Sequence, residues 1–237
     1  LDMYDPDRSR GVRRNGKKVN WSDFVNYTQS IADSKGKGLA VLTQETSSPT
    51  MQFMYEEFKK THPQADWVVY EPINNQNLYD GIEMAFGKKL QPFNRLENAQ
   101  TILSIGSDFL GVEDNGVYHT RKFAQNREIE DEKSTMNRLY VVESSMTPTG
   151  SSADHRLNLP NYQFRNMLEE LAGELKKLGL NIDAKPIKSS NHLWIKTVAE
   201  DLMKNKGESI IIGGSDLSSD MHCLIAGINN QLKAPID

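Results

Sequence analysis

Small polar residues, glycine and carboxylates gather in three stretches, each directly behind a short apolar run. Thr43, Ser47 and Ser48 follow Leu39–Leu42; Gly106, Ser107 and Asp108 follow Ile102–Ile105; Glu143, Ser144, Thr147 and Thr149 follow Leu139–Val142. Hydroxyls in such loops, with backbone N–H groups freed beside a glycine, can hydrogen-bond a nucleotide or a sugar, but Ser and Thr also satisfy their own backbone in turns. Residue type alone leaves both readings open.

Other chemistry is hard to find. His62, His119, His155, His192 and His222 are scattered and form no His-x-x-x-His or Glu-x-x-His metal pair, so each reads as a surface or hydrogen-bonded histidine. The chain has no G-x-S-x-G elbow, no G-x-x-x-x-G-K-[ST] phosphate loop and no strict G-x-G-x-x-G. Cys223 is the single cysteine. It rules out an internal disulfide and an iron–sulfur cluster held by this chain alone, and its place in an amphipathic helix reads as packing. No catalytic residue and no metal ligand is expected.

The 237 residues can bury a sizeable core, and a net charge of −4 describes an ordinary surface whose overall balance does not call for nucleic acid or membrane. No apolar run approaches the roughly 20 residues of a membrane helix. Arg8, Arg10, Arg13, Arg14, Lys17 and Lys18 stand without an acid between them. They read as a solvated arm or a contact for a neighbouring domain rather than an anion site, and no aromatic residue is interleaved for base stacking. The chain opens without Met in a charged, turn-rich stretch, which suggests a piece of a longer protein.

Positioning the polar loops requires strands that end where the loops begin. The apolar runs at 39–42, 67–70, 101–106, 139–142 and 210–212 alternate with helical patterns. That alternation predicts a mostly parallel, Rossmann-like sheet in a three-layer α/β/α domain, with 101–106 central and the runs at 39–42, 101–106, 139–142 and 210–212 sending their loops to one edge of one sheet. Ser22 is the expected N-cap of a sheet-covering helix, and Ser48-Pro49 starts another whose Met51, Met54, Tyr55 and Phe58 read as core. Residues 127–133 read as a solvated loop or a frayed helix end, and the hydroxyl-rich loop closes at Asp154 and leads to Leu157–Pro160. The polar link at Pro186 to Ser190 divides a main lobe, 1–185, from a helix–strand–helix segment, 186–237, joined to the same sheet or forming a small second lobe.

Several segments together resemble the molybdopterin oxidoreductases that use bis(molybdopterin guanine dinucleotide). Asn15 to Phe24 is similar to the "N-G-K…W" segment that leads their pterin domains, and Ala99 to Leu110 to their "A-D-x-I-L-x-I-G-x-N/D" strand. Leu139 to Asp154 resembles the "D-P-R-x-T-x-T-A-x-x-A-D" segment through Thr147, Thr149, Ala153 and Asp154, and Ser209 to Leu232 the later "H-x-x-x-x-x-I-N-x-x-L" region. Tyr4 to Ser9, Thr43 to Pro49 and Asp108 to Gly111 look closest to the molybdopterin-like iron–sulfur subunit of bacterial alternative complex III, a membrane quinol-oxidising assembly.

The resemblance implies a domain of the formate dehydrogenase and DMSO reductase type, periplasmic and in a respiratory complex. Cytochrome c and quinol-oxidising membrane subunits would be its partners, with iron–sulfur clusters elsewhere in the full-length protein. It also implies that Thr43, Ser47, Ser48, Gly106, Ser107, Asp108, Glu143, Ser144, Thr147 and Thr149 mark the cofactor edge. Departures argue that this edge is vestigial. Glu143-Ser144-Ser145 replaces Asp-Pro-Arg, and Asn161 stands where relatives carry a glycine. The expectation is a structural, cofactor-free domain. Molybdopterin guanine dinucleotide in a catalytic domain, and a small nucleotide- or sugar-binding module, are the alternatives.

Overall fold

Asn15 and Gly16 take positive φ, 50° and 79°, which a two-residue type I′ turn requires and which Asn-Gly supplies with little strain. The turn joins β1 (Arg13–Arg14) to β2 (Lys17–Lys18) as an antiparallel hairpin. Next comes α1 (Trp21–Asp33), whose N-cap is Asn20 rather than Ser22: Asn20 N donates to Asp23 Oδ2 at 3.0 Å. β3 (Ala40–Thr43), α2 (Pro49–Thr61) and β4 (Asp66–Val69) follow, with Ser48 capping α2 by accepting from Met51 N. The computed structural model of the protein describes residues 2–129, 131, 135–184 and 187–237. It divides into two compact units, residues 1–72 and 73–237.

In the first unit β3 and β4 pair in parallel, Ala40 opposite Asp66 through Thr43 opposite Val69, as a two-stranded sheet of their own. The run at 39–42 therefore does not belong to the sheet of the central strand, which corrects the expectation of four loops on one sheet edge. Tyr55 and Phe58 stand edge-on to Trp67 at 4.9 and 5.4 Å. No residue of α1 or α2 is fully buried, and Met54 is 55% exposed. Two strands offer too little apolar area to bury two helix faces, so the expected core stripe is only partly covered.

The second unit contains α3 (Gln76–Phe86), β5 (Thr101–Ile105), α4 (Gly116–Gln125), β6 (Arg138–Glu143), the single turn α5 (Pro148–Ser151) and β7 (His155–Asn158). It closes with α6 (Phe164–Lys177), α7 (His192–Lys204), β8 (Ser209–Gly213) and α8 (Ser219–Leu232). β7, β6, β5 and β8 form one parallel sheet in that order. β7 lies where the sequence pattern marks no strand, since His155 and Arg156 hide it; residues 130, 132 and 133 of the charged run and Pro186 of the polar link lie outside the described residues.

Alternation along buried strands sorts the core into two layers. Leu103, Ile105, Tyr140, Val142 and Ile211 meet Leu168, Leu171, Ile195, Leu202 and Ile228 of α6, α7 and α8 on one face. Ile102, Leu139, Val141, Ile210 and Ile212 meet Leu96, Phe109 and Phe123 on the other. The unit is thus a three-layer α/β/α domain. At the β8 edge, Asn229 replaces a neighbouring strand: its Oδ1 accepts from Ile211 N at 2.9 Å and its Nδ2 donates to Ile211 O at 2.8 Å.

Candidate functional site

β5, β6 and β7 step to one side and β8 lies on the other, so the chain reverses direction across the sheet between β5 and β8. Open α/β sheets form a ligand crevice at the strand carboxyl ends beside such a reversal. Here the backbones of the loops after β5 and β8 approach closely. Gly214 N donates to Ile105 O at 2.9 Å, and a Cβ on Gly214 would lie 2.0 Å from Gly106 O. Gly106 itself has φ 62°, and a Cβ there would come within 3.0 Å of the Phe164 ring.

The polar residues behind β5 and β6 bind one another. Asp108 Oδ1 accepts from Thr149 N at 3.0 Å and from Thr149 Oγ1 at 2.7 Å, and Oδ2 accepts from Val112 N at 3.3 Å. Thr149 Oγ1 in turn accepts from Leu110 N at 3.0 Å. Glu143 is buried. Its Oε1 accepts from Arg156 Nε and its Oε2 from Thr147 Oγ1 at 2.7 Å. Thr147 Oγ1 also caps α5 by accepting from Gly150 N at 3.0 Å. The carboxylates press on glycines: a Cβ on Gly111 would lie 2.1 Å from Asp108 Oδ2, and one on Gly150 1.7 Å from Glu143 Oε1. Ser107 Oγ donates to Glu113 Oε2 at 2.6 Å. Burial raises the Glu113 pKa against that bond, which favours a carboxyl kept uncharged more readily than an ordinary one.

Gly106, Ser107, Asp108, Glu143, Thr147 and Thr149 therefore gather at one end of the sheet. Ser144 is exposed in a bend beside them. Thr43, Ser47 and Ser48 belong to the first unit: Thr43 Oγ1 accepts from Trp67 Nε1 at 3.1 Å, Ser48 caps α2 and Ser47 is exposed. An open groove of about 450 Å³ in that unit is lined chiefly by apolar side chains of α1, β3 and α2.

Glu143 does not stand as the uncompensated charge its position behind an apolar run suggests, because Arg156 neutralises it. No local signal marks this partner, which arrives by strand pairing, Val141 opposite Arg156 and Glu143 opposite Asn158. Asp154 is likewise engaged, accepting from Leu139 N at 2.7 Å and from both terminal nitrogens of Arg127. Burial pushes its pKa up, but these bonds outweigh that and hold it below the usual carboxylate range.

His119 departs from the surface or hydrogen-bonded reading, and His222, bonded to the Gly214 backbone, fits the second half of it. His119 is buried among Phe93, Phe109 and Tyr118, with no partner at either ring nitrogen. His222 is buried on α8 with Nε2 unpartnered. Burial lowers the pKa of both. Cys223 is free and half-buried. Among the described residues no group of three or more His, Cys, Asp or Glu is placed to hold a metal ion.

No family model matches the chain, and no curated protein matches it. Solved structures do. Over 90% of its length the chain is similar to 56% of a chain in the formyltransferase/hydrolase complex (FhcABCD) from Methylorubrum extorquens in complex with methylofuran, with TM-score 0.54 and 12% identity. Over 92% of its length it is similar to 33% of acetylene hydratase from Pelobacter acetylenicus, with TM-score 0.49 and 14% identity. The chain thus spans about half of the first and a third of the second. At this identity the first likeness describes the fold.

Proposed function

We propose that this chain is a molybdopterin-oxidoreductase-like structural domain of an iron–sulfur electron-transfer subunit, within a periplasmic, membrane quinol-oxidising respiratory complex, and that it holds no cofactor of its own. The observation that carries the reading is the closed polar network at the ends of β5 and β6. Dinucleotide binding needs cations and free N–H groups aimed at pyrophosphate. Here Arg156 is committed to Glu143, Thr147 and Thr149 to carboxylates and caps, and Gly214 is packed on Gly106. These engagements support the reading of a domain without the dinucleotide. The assembly, with cytochrome c and quinol-oxidising membrane subunits as partners, rests on the motif resemblance.

Metal and pterin analysis of the full-length protein tests the reading. Neither molybdenum nor tungsten is expected; either metal at near one per chain, with pterin, would establish the catalytic alternative instead. Calorimetry of the 237-residue chain with GDP addresses the nucleotide-binding alternative. The missing arginine is a charge-assisted contact worth roughly 1.5–3 kcal/mol, about a tenfold to hundredfold loss of affinity, and Arg156 is engaged by Glu143 instead, so binding no tighter than millimolar is expected. A micromolar dissociation constant abolished by Gly106→Val would overturn the structural role.

A further inference from the structure

We propose that the Arg13–Lys18 hairpin and the first turn of α1 form a docking surface for an anionic phospholipid bilayer. Residues 1–72 carry ten basic and ten acidic side chains, and six of the basic ones fall between 8 and 18, where no acid stands. All six are exposed, and among the described residues none makes an ion pair. The hairpin sets like charges opposite each other, Arg13 against Lys18 and Arg14 against Lys17. Such pairs destabilise a two-stranded ribbon that is marginal by itself, and a sheet of anions beneath it removes the repulsion.

The neighbouring aromatic residues select the kind of anion. Val19 N donates to Val12 O at 3.0 Å, extending the ribbon to within two residues of α1. There Trp21 and Phe24 lie 68% and 42% exposed with ring centroids 5.1 Å apart. Exposed Trp and Phe beside a cluster of Lys and Arg match the headgroup boundary of a membrane, where rings enter the interface and cations meet phosphates. Protein interfaces also favour Arg, Trp and Phe but are depleted of Lys, so it is the Lys17 and Lys18 arm of the hairpin that favours the bilayer over an acidic protein surface. Nucleic acid fits less well, because the rings flank the cations instead of alternating with them as a stacking platform.

Flotation of the 237-residue chain with vesicles of two parts phosphatidylcholine to one part phosphatidylglycerol tests the surface. Binding is expected to these vesicles, not to phosphatidylcholine alone, and is expected to fall away at about 0.5 M salt as screening shortens the field. Each basic residue at the surface is worth about a fivefold gain, so Arg13→Gln, Arg14→Gln, Lys17→Gln and Lys18→Gln together reduce binding by about a hundredfold or more. Trp21→Ala weakens it about tenfold. Circular dichroism checks that the quadruple variant folds, and if it does not, the salt dependence and Trp21→Ala decide. Absent binding, equal binding to neutral vesicles, a quadruple variant that floats like the parent, or tighter binding to duplex DNA or an acidic protein than to vesicles would each overturn the proposal. Its membrane setting rests on the proposed function, but the outcomes separate: pterin in the full-length protein leaves the flotation result standing, and failed flotation leaves the metal analysis standing.

Discussion

A buried carboxylate is tolerated only while its partners remain, which makes the strand-end network testable one residue at a time. Thr149→Val keeps the backbone bond to Asp108 but removes the hydroxyl that serves both Asp108 and Leu110 N; it is expected to cost about 1–3 kcal/mol by denaturant unfolding. Arg156→Met strands the buried Glu143 carboxylate and is expected to cost about 3–5 kcal/mol at neutral pH, while Glu143→Met with Arg156→Met recovers much of that. His119 governs part of the acid limb. Burial holds its folded pKa below its unfolded value of about 6.5, so as pH falls past that value the unfolded chain takes up a proton that the folded chain refuses. Stability is therefore lost below about pH 6.5, and the loss stops growing beneath the folded pKa. His119→Phe should flatten this limb without loss at pH 7, leaving the slope from His222, whose pKa burial shifts the same way, and the opposing slope from Glu113, whose pKa burial raises; a limb as steep as the parent's would refute the assignment. At this scale the sequence marks Asp108, Glu143, Thr147 and Thr149 as polar groups behind apolar runs. It cannot show that they pair, because Asp108 and Thr149 are 41 residues apart and Glu143 and Arg156 meet only when β7 joins β6.

Elements test the packing of side chains along whole helices. Gly81 in α3 lets that helix lie directly on α8: a Cβ would come within 2.5 Å of both Ser219 O and His222 Cβ. Gly227 in α8 faces open space. Gly81→Ala is therefore expected to destabilise by about 1–3 kcal/mol through overpacking, and Gly227→Ala to stabilise by about 0.5–1 kcal/mol through helix propensity. Thermal unfolding of the two variants checks the opposite signs. Long periodic segments were the legible ones, as α8 and the continuous apolar runs β5, β6 and β8 show. β1 and β2 were not, since their facing residues are four cations rather than an alternating apolar face. β3 read correctly as a strand yet pairs only with β4, because local pattern fixes the strand and not its neighbours.

The two units differ in how much core each possesses, and that decides how the whole molecule should unfold. Both hydrophobic clusters consist of residues from 96 onward, and they wrap a sheet buried on both faces. In residues 1–72 the one buried apolar side chain among the described residues is Ala65, while Trp21, Leu42, Phe53 and Tyr70 are exposed. Composition gave no warning of this, since helical and strand patterns run through both units alike. Local opening is easiest where few apolar contacts oppose it. Amides of β3 and β4 are therefore expected to exchange with solvent at much lower opening free energy than those of β5, β6 and β8, and mild proteolysis should attack residues 1–72 first. A fragment of residues 73–237 retains its own core and is expected to unfold cooperatively near the temperature of the main transition of the intact chain. Protection of β3 equal to that of β5, or a fragment that no longer unfolds cooperatively, would show that the sheet of β5 to β8 draws its stability from residues 1–72 as well.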